Sequence, residues 1–94
     1  MKNRISAFDV IYDAFSDVLY ISRKSENATR GMEDRSGIVW RYNSDGVLVG
    51  ATIIDFQELW AGRSDDLAAK ISEKFDVPVP QAESVVNHVL SHME

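Results

Sequence analysis

The 94-residue chain has no cysteine, which excludes disulfides, thiol nucleophiles and thiolate-held metal or iron–sulfur centres. Cation is scarce as well: ten Lys and Arg stand against fifteen Asp and Glu, for a net charge of −5. Gripping phosphate backbones needs clustered Lys and Arg, so nucleic acid is not expected as a partner. Long apolar runs are missing too. The longest, VLVGATII at 47–54, is far below the roughly 20 residues that span a bilayer, and Asp9 and Asp13 interrupt the start, where a signal peptide would need an apolar stretch. A soluble, cytoplasmic protein without membrane contact is the expectation. No internal repeat, low-complexity stretch or long linker divides the chain.

What remains, 45% hydrophobic and 27% charged residues, suits one compact domain over residues 1–94. The first half alternates and turns, whereas the second repeats every three or four residues. ISAFDVIY (5–12) reads as a strand, with Phe8, Val10 and Tyr12 on one side and Ile5, Ala7, Asp9 and Ile11 on the other. DAFSD reverses the chain into a second strand, VLYISR (18–23), and KSENATRGMEDRS (24–36) reads as a surface connection with room for a short edge strand near Ala28–Arg30. GIVWRY (37–42) and VLVGATIIDF (47–56) flank Asn43, Ser44, Asp45 and Gly46, and an Asp-Gly pair between alternating hydrophobics is a strong hairpin signal.

From residue 57 the pattern is helical. Ser64 stands at an N-cap position with Asp65 and Asp66 behind it, and Leu67, Ala68, Ile71 and Phe75 mark one apolar face. DVPVP ends that helix, Pro80 suits the first turn of the next, and Ala82, Val85, Val86, Val89, Leu90 and Met93 form an amphipathic stripe. The expected fold is α+β: an antiparallel β-meander of about four strands (5–56) followed by two C-terminal α-helices (57–94) packed on one sheet face.

The strand at 47–56 is apolar on both sides, and two short helices cover only one face of a sheet. The other face therefore calls for a partner, and a homodimer is the commonest solution. Trp40, Tyr42, Val47 and Val49, which flank the Asp-Gly turn, are the candidate interface residues.

Chemistry-bearing constellations are few. The Asn-Ser-Asp-Gly loop offers oxygen ligands, but Val47, Leu48 and Val49 follow where a calcium loop would continue with acids, so it reads as a turn. His88 and His92, four apart on the last helix, could share a metal, but Asn87 stands where a zinc hydrolase would need Glu, and a solvated helix face is the plainer reading. Asp13, Asp17, Glu33, Asp34, Asp45 and Asp55 have no His or Lys at a diagnostic spacing, and Asp13 and Asp17 read as chain-reversal residues. The two helices do not suit a DNA-reading pair, because the second, from Pro80 to Met93, carries no Lys or Arg. No catalytic residue and no cofactor is assigned.

The series Tyr12, Asp13, Asp17, Val18, Leu19, Tyr20, Ile21, then Gly37, Ile38, Val39, Tyr42, Asp45, Gly46, Val49, Gly50, Ile53 and Asp55 resembles the YuzE-like family of small bacterial proteins of unknown function. The resemblance covers about residues 8–57 and departs at Trp40, Arg41 and Thr52. It implies a small antiparallel sheet and no established activity, with the helical tail as an extension. The tail is also similar to the helical part of PqqD-like peptide chaperones, which implies an extended peptide held at a sheet edge. The leading expectation is a non-enzymatic binding or regulatory module that homodimerises through its sheet. The alternatives are a peptide-binding adaptor and a metal-dependent or acid–base enzyme using the scattered carboxylates with His88 and His92.

Overall fold

A computed structural model of the chain describes residues 2–5, 7–23 and 27–92. Among these residues six strands make one antiparallel sheet: β1 (Lys2–Ile5), β2 (Phe8–Asp13), β3 (Val18–Arg23), β4 (Arg30–Glu33), β5 (Ile38–Tyr42) and β6 (Leu48–Ile54). The helices follow: α1 (Phe56–Trp60), a 3₁₀ turn at Ala61–Arg63, α2 (Ser64–Phe75) and α3 (Val79–Ser91). The α+β class, the antiparallel sheet and the two C-terminal helices agree with the sequence reading; the strand count does not.

Two strands account for the difference. The stretch read as one strand over 5–12 is broken by a reversal, in which Ala7 takes φ 73 and Ile5 pairs with Phe8. A left-handed alanine carries no glycine signal, so the break is silent in the sequence. The edge strand lies at Arg30–Glu33 rather than Ala28–Arg30, and pairs with β5. Its residues are exposed throughout, so no alternation of burial announces it.

The strand order is β1-β2-β3-β6-β5-β4. This is not one sequential meander, because Val18–Ser22 pairs with Gly50–Ile54 and not with residues 38–42. Two three-stranded meanders meet at β3 and β6. The apolar character of β6 on both sides suits a central strand, whose interior must be shielded on either face. Near its start a bulge places two residues opposite one: Arg41 pairs with Gly50 and Tyr42 with Leu48, leaving Val49 between. Leu48 thereby packs against the same core as Ala51 and Ile53, which strict alternation would separate.

That core is single. Phe8, Val10, Tyr12, Leu19, Ile21, Ile38, Trp40, Ala51 and Ile53 from one sheet face join Phe56 and Trp60 of α1, the Leu67, Ala68, Ile71 and Phe75 face of α2, and Ala82, Val85, Val86 and Val89 of α3. Phe75 is central to the join, edge-on to Phe8 at 5.0 Å and to Trp40 at 6.2 Å between ring centroids. The helix limits follow local chemistry. Asp76 closes α2 in the left-handed conformation, and Pro80 lies in the first turn of α3. Ser64 is the first helical residue of α2 and not its cap, since Arg63 precedes it with no side-chain cap bond. Met93, read as the end of the α3 stripe, lies outside the described residues.

α1 is set by a residue distant in sequence. Asp17, left-handed at φ 59 at the end of the β2–β3 turn, accepts bonds from the backbone N–H of Gln57 at 2.8 Å and of Glu58 at 3.2 Å. Its Oδ1 also accepts the Tyr12 hydroxyl at 2.6 Å, while its carbonyl receives Phe56 N–H at 3.0 Å. Tyr12 packs edge-on against Phe56, so one aspartate ties the hairpin to the start of the helical layer.

Candidate functional site

With the helices on one face, the other face of the sheet carries the alternate residues of each strand. Register places them in rows. Ile11, Tyr20, Thr52, Val39 and Glu33 form one row across β2, β3, β6, β5 and β4; Asp9, Ser22, Gly50, Arg41 and Gly31 form the next; Asp13, Val18 and Ile54 form a third. The middle is apolar and open, with Ile11, Tyr20 and Ile54 each 39–40% exposed. An open concavity of about 280 Å³ runs over Gly50 and Thr52 and is bordered by Ile11, Tyr20, Ala28 and Arg41.

Gly50 allows the strands to approach there, since a β-carbon at this position would stand 3.0 Å from the Ile21 carbonyl oxygen. Arg41 lies along this floor, and a β-carbon added at Gly31 would meet its Nη1 at 3.6 Å. Arg41 Nε donates to Thr52 Oγ1 at 2.8 Å, and Thr52 is only 6% exposed, so the guanidinium is anchored from below. Among the described residues the ion pairs are Arg4–Asp9 and Arg63–Asp66; Arg41 has no carboxylate partner. A cation held on an apolar face without a counter-ion is the chemically unsatisfied element of this surface.

The four residues proposed as an interface from sequence do not come together here. Trp40 is 2% exposed in the core beneath the helices, where its indole N–H donates to Asp34 at 2.9 Å. Tyr42 is half-buried against the same core. Val47 is exposed at the hairpin turn, and Val49, buried at the bulge, borders the concavity on the open face. The residues that do share the open face, Ile11, Tyr20, Val39, Arg41, Thr52 and Ile54, were legible only as the alternate set of each strand.

The titratable groups considered for chemistry lie apart. Asp13 caps its own turn through Phe15 N–H at 3.1 Å, and hydrogen bonds from Ser16 lead the causes that hold its carboxyl below the ordinary range. Burial pushes the Asp17 carboxyl up, but the bonds from Tyr12, Gln57 and Glu58 outweigh it and the net shift is downward. Asp34 organises the β4–β5 turn. Burial opposes its charge, yet bonds from Trp40, Ser36 and Ile38 bring it down to about 2. These carboxylates are occupied as structural acceptors. Asp45 sits in the 43–47 turn, where Asn43 accepts both Asp45 and Val47 N–H at 2.9 Å and Gly46 has φ 80, so that loop is a hairpin turn as read. Asp55 is a left-handed residue between β6 and α1.

His88 and His92 stack with centroids 4.1 Å apart, and His92 Nδ1 lies 2.8 Å from the His88 carbonyl oxygen. No group of three or more His, Cys, Asp or Glu side chains able to hold a metal occurs among the described residues. Among them, too, no helix is long and apolar enough to cross a membrane.

Residues 9–57, about half of the chain, match a family model described as protein of unknown function (DUF2283). Neither the curated proteins nor the solved structures contain a match to the chain.

Proposed function

The chain belongs to the DUF2283 family, and we propose that it is a non-enzymatic binding module of the cytoplasm that pairs with a second copy of itself through the open face of its sheet. Within the family, the residues from Tyr12 to Asp55 set out above support a place in its YuzE-like group. The observation that carries the pairing is the set of apolar side chains Ile11, Tyr20 and Val39 in one row, flanking Thr52, with Ile54 beside them, on the sheet face opposite the helices. Six strands about 4.8 Å apart and about five residues long make a face on the order of 500 Å² in projection. Side-chain relief raises its accessible area toward the roughly 800 Å² per partner of an ordinary stable interface. A second copy matches both the extent and the composition of the surface, whereas an extended peptide would add to the β4 edge and leave the row uncovered.

Sedimentation or light scattering at micromolar concentration tests this. The expected mass is twice that of the chain, and Tyr20→Arg is expected to give a monomer with an unchanged circular dichroism spectrum. A wild-type chain that remains monomeric refutes the pairing, and binding of an extended peptide by that monomer would move the function to the sheet edge.

A further inference from the structure

The rows of the open face also define how two copies would meet, an inference that rests on the face-to-face pairing proposed above. In the aligned mode of sheet-on-sheet packing, a two-fold axis in the interface lies either along the strands or across them. An axis along the strands, between β3 and β6, exchanges the two halves of the sheet. It sets β2 over β5 of the other copy and β3 over its β6. Ile11 then meets Val39, Tyr20 meets Thr52, Val18 meets Ile54, and Ser22 faces the bare backbone of Gly50. In the neighbouring row Asp9 meets Arg41, because the register Asp9–Ser22–Gly50–Arg41 puts the two at the same height on opposite sides of the axis. An axis across the strands, through the Ile11–Val39 row, lays each strand on itself and brings Asp9 against Asp13, an approach of like charges.

We propose that two copies associate about the axis parallel to the strands, with Arg41 of each paired to Asp9 of the other. Both groups are prepared for it. Arg41 is anchored through Nε to the buried Thr52 hydroxyl, which leaves its terminal N–H groups for an acceptor. Asp9 binds Arg4 through Oδ1 at 3.0 Å, which leaves Oδ2 to receive a second guanidinium. The symmetry makes two such pairs per dimer, one at each side of the apolar strip, so that charge fixes the register and apolar contact supplies the adhesion.

A charge exchange between two chains tests the pairing. Arg41→Asp alone sets two aspartates together at each site, and Asp9→Arg alone sets two arginines together. Each is expected to weaken self-association by about a hundredfold or more, since like charges brought together cost several kcal/mol. Mixed in equal amounts, the two variants restore an Asp–Arg pair at both sites, and the heterodimer is expected to return to near the wild-type dissociation constant in native mass spectrometry or sedimentation. Circular dichroism and a thermal melt establish that each variant is folded, and Arg41→Glu with Asp9→Lys repeats the exchange should either of the first pair fail to fold. A dimeric wild type whose single variants remain dimers, or whose mixture associates no better than the separate variants, overturns the Arg41–Asp9 register. A monomeric wild type overturns the face-to-face pairing itself.

Discussion

Replacing Asp34 by Asn changes one oxygen and one charge in the β4–β5 turn, yet it cannot be accommodated in either orientation. Asp34 Oδ1 accepts Ser36 N–H at 2.9 Å, Ser36 Oγ–H at 2.7 Å and Ile38 N–H at 3.2 Å, while Oδ2 accepts the Trp40 indole N–H at 2.9 Å. Every contact is a donor aimed at the carboxylate. An asparagine that keeps its oxygen toward Ser36 and Ile38 turns its amide donors on the indole N–H of a residue 2% exposed; the flipped amide faces three donors instead. A buried donor left without an acceptor costs about 1–3 kcal/mol. The acidity of the group gives a second measure. A carboxyl lowered from 3.8 to about 2 is favoured in its charged form by roughly 2 kcal/mol, about half of which survives solvent screening at a partly exposed site. A loss of about 2 kcal/mol at pH 7 follows, or a fall in Tm of about 8–16 °C for a chain of this size.

The pH dependence has a definite sign. Because the folded pKa lies below the unfolded one, the stabilisation is present above about pH 4 and disappears as the pH falls toward 2. Urea denaturation of wild type and Asp34→Asn at a series of pH values should show a gap near 2 kcal/mol at pH 7 that narrows between pH 4 and 2. Trp40→Phe supplies the other corner of a double-mutant cycle, with an expected coupling of about 1 kcal/mol or more. Equal stability at pH 7, or a gap that persists unchanged to pH 2, would refute this account of the turn.

Four further outcomes follow from the same reasoning. Asp17→Asn, whose asparagine accepts the left-handed backbone, removes the charge from the α1 tether and should cost about 1–2 kcal/mol in chemical denaturation. Burial, followed by its bond to Asp17, pushes the Tyr12 hydroxyl up to about 12, so its contribution should hold below pH 10 and vanish as the pH rises from 10 to 12, a loss that Tyr12→Phe should not show. Gly46→Val, at φ 80 with no atom beyond its chain neighbours within 4 Å of the added carbon, isolates the backbone penalty of a β-branched residue, about 1 kcal/mol or more by thermal melt. Phe15 stands fully exposed at the β2–β3 tip, so Phe15→Ala should change stability by less than about 0.5 kcal/mol, and a larger loss would show that the tip packs against something.

Much of the architecture was legible because its signals are local. The Asp-Gly turn, the strand at 18–23, the stop of α2 and the start of α3 are written in glycine, proline and period. The silent elements depend on distant partners. α1 is anchored by the Asp17 carboxylate some forty residues upstream, β4 exists because β5 pairs with it, and the reversal at Ala7 lacks the glycine that would mark it. The open face shows the same limit. Alternation put Phe8, Val10 and Tyr12 on one side of their strand and Asp9 and Ile11 on the other, but it does not say which side the helices occupy. Trp40 therefore read as an interface aromatic, although it shares its face with Ile38 and lies in the core. Only the packing of α2 and α3 assigns the two sides, and with them the setting of Arg41.

The junction of β3 with β6 also orders the time course of folding. Each three-stranded unit is assembled from hairpins between sequence neighbours, of the kind that form within about ten microseconds. Joining the units brings residues such as Ser22 and Gly50 together, and closing a loop of about 30 residues costs on the order of 3 kcal/mol in chain entropy beyond a constant. No contact repays that cost until Leu19 and Ile21 lie against Ile53 and Ala51. The strand pair at the centre of the finished sheet is thus its least local bond, and substitutions there should slow folding, while those confined to the outer strands chiefly hasten unfolding.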